Sequence, residues 1–223
     1  MKQINIAIDG TSGSGKSSTA EKLVEKLGYI FVDTGLMYRA ITWIFLKNNV
    51  DNKDTEKMKK YLSDFSFLNN GEYIQAGEYK IPVKDLTNEK VTKNTPKYAK
   101  ISLVREYMVK IQKSVATKKG IIMVGRDITS VVLPAAELKV FITTSDPLVR
   151  AKRRLAQNIG KKDVSHDLQN VLDEINNRDK DDTLRKDGCL TNRNCNLIID
   201  NSDKNLDEVV DIIIKEVNNL TKK

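Results

Sequence analysis

Gly10-Thr11-Ser12-Gly13-Ser14-Gly15-Lys16-Ser17 fits the pattern G-x-x-x-x-G-K-[ST] in full, and its neighbours decide how it is read. Upstream, Ile4-Asn5-Ile6-Ala7-Ile8 is a short apolar run of the kind found in buried parallel strands. Downstream, Ala20, Leu23, Val24 and Leu27 recur at helical spacing. A strand, a glycine-rich turn and a helix start therefore follow in order, which a chance Gly/Ser turn would not provide. Gly10, Gly13 and Gly15 remove side chains that would keep backbone N–H groups from wrapping an anion, and the turn delivers that anion to a helix N-terminus. Thr11, Ser12, Ser14 and Ser18 complete the wrapping segment. The stretch is a phosphate loop, expected to hold a nucleoside triphosphate: Lys16 would reach the β/γ-phosphates, and the Ser17 hydroxyl would ligate Mg²⁺.

Working outward, Tyr29-Ile30-Phe31-Val32 reads as a second strand, followed by a helix over about Leu36 to Asn48. Ile121 to Val124, Leu138 to Ile142 and Asn196 to Ile199 are further core strands. Helical patterns over about Pro96 to Lys118, Asp146 to Asn158, Asp167 to Asp181 and Leu206 to Leu220 separate or follow them. Alternation of strand and helix predicts an α/β fold, a P-loop NTPase core whose mostly parallel five-stranded sheet is covered by helices on both faces. Its ligands are expected beyond the carboxyl ends of the strands. Between about 65 and 94 the rhythm breaks into short alternating segments divided by Asn69-Asn70-Gly71 and Gly77-Glu78, a small antiparallel β insertion with Pro82 on an edge. The polar stretch Gly160 to Ser165 interrupts the helical pattern after Arg154 and suits a short lid, assigned to about 151–165. The core is then about 1–64, 95–150 and 166–223, all one domain.

Composition excludes several classes. The 223 residues are 39% hydrophobic and 30% charged, with no run of apolar residues long enough to span a bilayer, and the first strand begins almost at Met1. A soluble cytoplasmic chain without a signal peptide is the expectation. Cys189, Cys195 and the lone His166 support neither zinc nor a disulfide framework. The net charge of +8 is spread as lysines among acids, with no basic stripe interleaved with aromatics, so neither nucleic acid nor membrane is an expected partner. Only nine of the 38 basic residues are Arg, the residue whose planar fork grips phosphate and carboxylate. A guanine-reading N-K-x-D is absent, since Asn52-Lys53-Asp54-Thr55 places its Asp one position early.

Four arginine motifs fall where an anionic second substrate would sit: Asp33-Thr34-Gly35-Leu36-Met37-Tyr38-Arg39, Val104-Arg105-Glu106, Gly125-Arg126-Asp127, and Arg178 to Arg185, R-D-K-D-D-T-L-R. With the phosphate loop, the R-A-x-R-R at Arg150 to Arg154, the V-V-x-P that follows Asp127 and the β insertion, they make the chain resemble, nearly end to end, the bacterial cytidylate kinases, a family of P-loop nucleoside monophosphate kinases. The resemblance implies ATP- and Mg²⁺-dependent phosphorylation of CMP and dCMP by a monomer. It puts Arg39, Arg126 and Arg185 on the monophosphate, Arg178 and Asp182 on the ribose, and Arg105 with Asp127 on the base, with Thr34 also lining the acceptor. Lys16, Arg126, Arg154 and Arg178 are the residues expected to act on the transferring group. At least one of Arg150, Arg153 and Arg154 closes on ATP, and spacing does not choose among the three, which share a helical face; Arg153 is assigned to ATP. The family's E-I-R-T element is replaced by Glu89-Lys90-Val91-Thr92, and its base-contacting Ser has no clear counterpart among Thr95, Pro96 and Ser102. The alternative expectation is another P-loop small-molecule or nucleoside monophosphate kinase.

Overall fold

In a computed structural model, which describes residues 2–159 and 165–222, the apolar runs pair as expected. Strands β1 (Ile6–Gly10), β2 (Ile30–Asp33), β6 (Ile121–Val124), β7 (Leu138–Thr143) and β8 (Leu197–Asp200) form one sheet in the order β2-β6-β1-β7-β8. Every neighbouring pair is parallel. Strand β1 is central, with Ile6, Ile8 and Ala7 all fully buried, which is why its sequence is a near-continuous apolar run rather than an alternation. Ile6, Ile8, Val124, Val140 and Ile142 pack against Ala20 and Leu23 of α1 (Lys16–Leu27) and Val209, Val210, Ile213 and Val217 of α9 (Leu206–Thr221). Ala7, Met123 and Phe141 alternate to the other face and are buried too.

The chain divides into two units. The first, residues 2–33, 115–159 and 165–222, holds this sheet together with α1, α7 (Pro147–Asn158), α8 (Leu168–Leu184) and α9. Helices α7 and α8 pack through Ala151, Val171 and Ile175. The second unit, Thr34–Ser114, contains α2 (Thr34–Lys47), α3 (Thr55–Ser63), a three-stranded antiparallel sheet, α4 (Val83–Leu86), α5 (Glu89–Ala99) and all but the last residue of α6 (Ser102–Val115). Its sheet runs β3 (Leu68–Asn69), β4 (Tyr73–Ala76), β5 (Tyr79–Pro82), with Pro82 at the end of an edge strand. The turn before β4 is built as its sequence demands: Gly71 takes a φ of 93°, and the Asn70 carboxamide oxygen accepts from the amides of Glu72 and Tyr73.

Several boundaries differ from the sequence reading. The helix expected over about 96–118 is two helices, parted at Lys100 and Ile101. Just before the break Tyr98 is buried, and its hydroxyl donates to the Val50 carbonyl at 2.7 Å, a tertiary contact that local periodicity does not display. Asp54, rejected as a guanine reader, accepts from the Lys57 amide and caps α3. Helix α8 continues to Leu184, and residues 151–158 of the expected lid are helical. Residues 160–164 of that lid lie outside the described residues.

Candidate functional site

The phosphate loop leaves β1 at Gly10, where a Cβ would lie 1.9 Å from the Ile142 carbonyl oxygen of β7, so the strand pairing itself demands glycine. Gly15, at φ 85°, caps α1 and brings no side-chain bond to the first helical amides, which leaves a helix N-terminus suited to an anion. Lys16 is buried, and its ammonium donates to the Thr11 carbonyl at 2.6 Å. Burial, and then the like charges of Arg126 and Arg178, hold its pKa well below the ordinary lysine value. The Ser17 hydroxyl donates to the Asp33 carboxylate at the end of β2, 3.3 Å away. A hydroxyl and a carboxylate are hard oxygen ligands, which fits Mg²⁺, an ion that completes its shell with water and phosphate. Ser18, half-buried, follows in the first turn of α1.

Two carboxylates of α8 organise the rest of this unit's site. Asp182 accepts from Arg126 Nε at 2.8 Å and from Arg185 NH1 at 3.3 Å, with Arg178 Nε 4.0 Å away. Arg126 also donates to the Gly10 carbonyl at 3.1 Å, so the G-R-D arginine touches the phosphate loop and the acidic hub together. Three of the sequence-predicted arginines and Asp182 are thus gathered in one place. Asp179 accepts from the Ser12 amide at 2.7 Å and pairs with Arg150, which in turn donates to the Ser12 carbonyl at 2.8 Å. The Ser12 N–H is therefore turned to α8. Arg153 donates to Thr144 Oγ1, and to the Asn201 side chain and carbonyl at 3.1 and 3.0 Å, just past the carboxyl ends of β7 and β8. Arg154 keeps to the exposed side of α7, within electrostatic range of Arg126 and Glu174.

Asp127 is buried and opens a π-type turn, Ile128–Val132. The turn is held by Asp9 of β1, whose carboxylate accepts from the Ile128 and Thr129 amides at 3.0 and 2.8 Å and from the Thr129 hydroxyl at 2.8 Å. Burial raises the Asp9 pKa against those bonds, and nearby Asp127 adds to the rise.

The second unit carries the remaining predicted residues. Thr34 is buried at the start of α2, and Arg105 is buried on α6. Arg39 NH1 donates to the Leu86 carbonyl at 2.9 Å and the Thr92 hydroxyl at 2.8 Å. Thr92 belongs to the Glu89-Lys90-Val91-Thr92 variant element; its Val91, where the family pattern has Arg, is a core residue.

A family model described as cytidylate kinase matches residues 6–219. The chain belongs to the cytidylate kinase family. A cytidylate kinase from Mycoplasma capricolum is 40% identical over 220 residues, covering 99% of this chain and 98% of that protein. One from Clostridium botulinum is 39% identical over 213 residues, covering 96% and 97%. Among solved structures, an uncharacterized protein from Eubacterium ventriosum superposes with a TM-score of 0.54 at 17% identity, covering 97% of this chain and 99% of that one. Shikimate kinase from Acinetobacter baumannii gives 0.50 at 16% identity, covering 100% and 96%. These two likenesses show a shared fold.

Within this family member, Asp9, Asp33, Asp179 and Asn201 escaped the sequence reading as site residues. Asp33 and Asp179 lie inside quoted motifs but beside more conspicuous neighbours. Asn201, which donates to the Ser14 carbonyl at 2.8 Å, follows β8 with no motif to mark it.

Proposed function

We propose that the chain transfers the γ-phosphoryl group of ATP to CMP and dCMP, yielding CDP or dCDP and ADP. The observation that carries this reading is the arginine cluster of the first unit: Arg126 bridges the Gly10 carbonyl and Asp182, with Arg178 and Arg185 on the same carboxylate. Guanidinium groups concentrated against a phosphate loop suit the juxtaposition of two phosphorylated substrates.

A phosphate oxygen of CMP is already ionised, so attack on the γ-phosphorus needs no strong base, and the ADP oxygen leaves as the new P–O bond forms. Catalysis is then positioning and neutralisation of charge. The Lys16 ammonium exchanges the Thr11 carbonyl for the β/γ-phosphates, whose charge reverses the depression of its pKa. Arg126 and Arg185 hold the acceptor phosphate, a role that the family resemblance also gives Arg39. Arg178 and Asp182 take the ribose; two arginine bonds leave the Asp182 carboxylate further lone pairs for sugar hydroxyls. Arg153, anchored at the ends of β7 and β8, faces the donor, and the exposed Arg154 reaches the transferring group. Mg²⁺ brought with ATP would be held by Ser17 beside Asp33 and supplies further neutralisation of phosphate charge.

Cytosine offers an N4 amine beside the N3 and O2 acceptors, so its reader needs a carboxylate and a forked donor. The family resemblance gives those two roles to Asp127 and Arg105. A coupled ADP-release assay with ATP and Mg²⁺ tests the function: CMP-dependent release matched one-to-one by CDP is expected, and absence of CDP under those conditions would refute it.

A further inference from the structure

The tip of the phosphate loop is gripped by α7 and α8 through contacts that the transfer chemistry does not itself require. Ser12 is held at both ends of its peptide, its amide by Asp179 Oδ1 at 2.7 Å and its carbonyl by Arg150 NH1 at 2.8 Å. Asp179 and Arg150 close the ring with an ion pair whose side chains are only 16% and 6% exposed. Gly13, next in the loop, sits at φ 74° with an added Cβ falling 3.3 Å from Arg150 Cβ and 3.6 Å from Ile175 Cδ1, so the same two helices wall it in. Asp179 lies one residue from Arg178 and three from Asp182 on α8, but it reaches the loop rather than the arginine hub.

We propose that Asp179, paired with Arg150, is a positioning residue for the donor nucleotide: it sets the path of Ser12 and Gly13 so that the amides further along the loop face the ATP phosphates. Buried ion pairs such as this one give little net stability and cost heavily when one partner is removed; two hydrogen bonds aimed at one peptide are instead a device for fixing a backbone conformation. Preorganised loop amides raise affinity by removing an ordering cost at the moment of binding. The inference rests on the reading of Gly10 to Ser17 as an ATP loop, but not on the identity of the acceptor.

The test compares Asp179→Asn, Asp179→Ala and Arg150→Met with the wild-type chain, after circular dichroism and thermal melting establish which variants are folded. Binding of ATP with Mg²⁺ is measured by titration calorimetry in the absence of acceptor, and KM for ATP and for CMP by steady-state kinetics. Asp179→Asn keeps an oxygen for the Ser12 amide and weakens only the ion pair, so it remains informative if Asp179→Ala fails to fold. Asp179→Ala is expected to weaken ATP on the order of tenfold, with Asp179→Asn in between and KM for CMP within about twofold of wild type. Equal losses for ATP and CMP, or unchanged ATP affinity in folded Asp179→Asn and Arg150→Met variants, would overturn the proposal. Failure of CMP turnover in the wild-type chain would instead count against the acceptor assignment, since the calorimetry reads the loop alone.

Discussion

Lys16 shows at the scale of one residue how function opposes stability. Its ammonium is buried beside Arg126 and Arg178, an arrangement that penalises the charged form. Because its folded-state pKa lies below the unfolded value, the unfolded chain binds more protons in the interval between the two, and stability rises with pH through that interval. Lys16→Met should therefore raise the melting temperature at neutral pH, and its advantage over the wild type should shrink as pH approaches 10.5. The same variant should lose on the order of 10²-fold or more in kcat, the scale of losing an electrostatic transition-state donor. A folded Lys16→Met chain with near-normal turnover would show that the loop lysine is not catalytic. Asp182 and Arg185 make a second contrast. Asp182 holds two arginines, and hydrogen bonds to charged groups are worth about 1.5–3 kcal/mol. Asp182→Ala should raise KM for the acceptor and shift the CMP to dCMP preference, because only CMP carries the 2′-hydroxyl. Arg185→Ala should weaken both acceptors alike and lower kcat, since in the proposed reading it aims the nucleophile. Kinetics of both variants on both acceptors separate the roles; an Asp182→Ala effect confined to ATP would remove α8 from the acceptor side.

Elements were legible where local pattern and tertiary demand agree. Helix α9 is the plainest case: Asn205 and Glu208 form a reciprocal capping box, each side chain bonded to the other's amide at 3.0 and 2.7 Å, and an apolar stripe from Val209 to Val217 follows. Asn205→Ala should cost about 1 kcal/mol, a fall of about 2–4 °C in melting temperature for a chain of this size, with kinetics unchanged; a melting temperature equal to wild type would mean that the box contributes nothing. The five parallel strands were readable because burial on both faces forces apolar runs. The break between α5 and α6 was not, since the helical pattern runs through it and Tyr98 beside it is anchored to the Val50 carbonyl 48 residues away. The same limit explains the missed site residues. The glycines and Lys16 announce themselves by spacing, whereas Asp9 and Asn201 act through partners 119 to 187 positions distant, and no local period encodes such pairs.

Across the whole molecule, membership in the cytidylate kinase family joins a phosphate loop to arginines and a buried Asp127. The loop and arginines alone would serve many phosphoryl acceptors; in the proposed reading the choice of cytosine is assigned to Asp127 and to Arg105. Uracil presents a carbonyl oxygen where cytosine presents an amine, leaving a carboxylate opposite an acceptor, and an unpaired buried polar group costs about 1–3 kcal/mol, more when charged. The decisive measurement is the ratio of kcat/KM for CMP to that for UMP, with ATP and Mg²⁺ saturating. The account predicts a ratio of at least about tenfold to a hundredfold, the kinetic equivalent of that cost, and comparable values for the two nucleotides would contradict it.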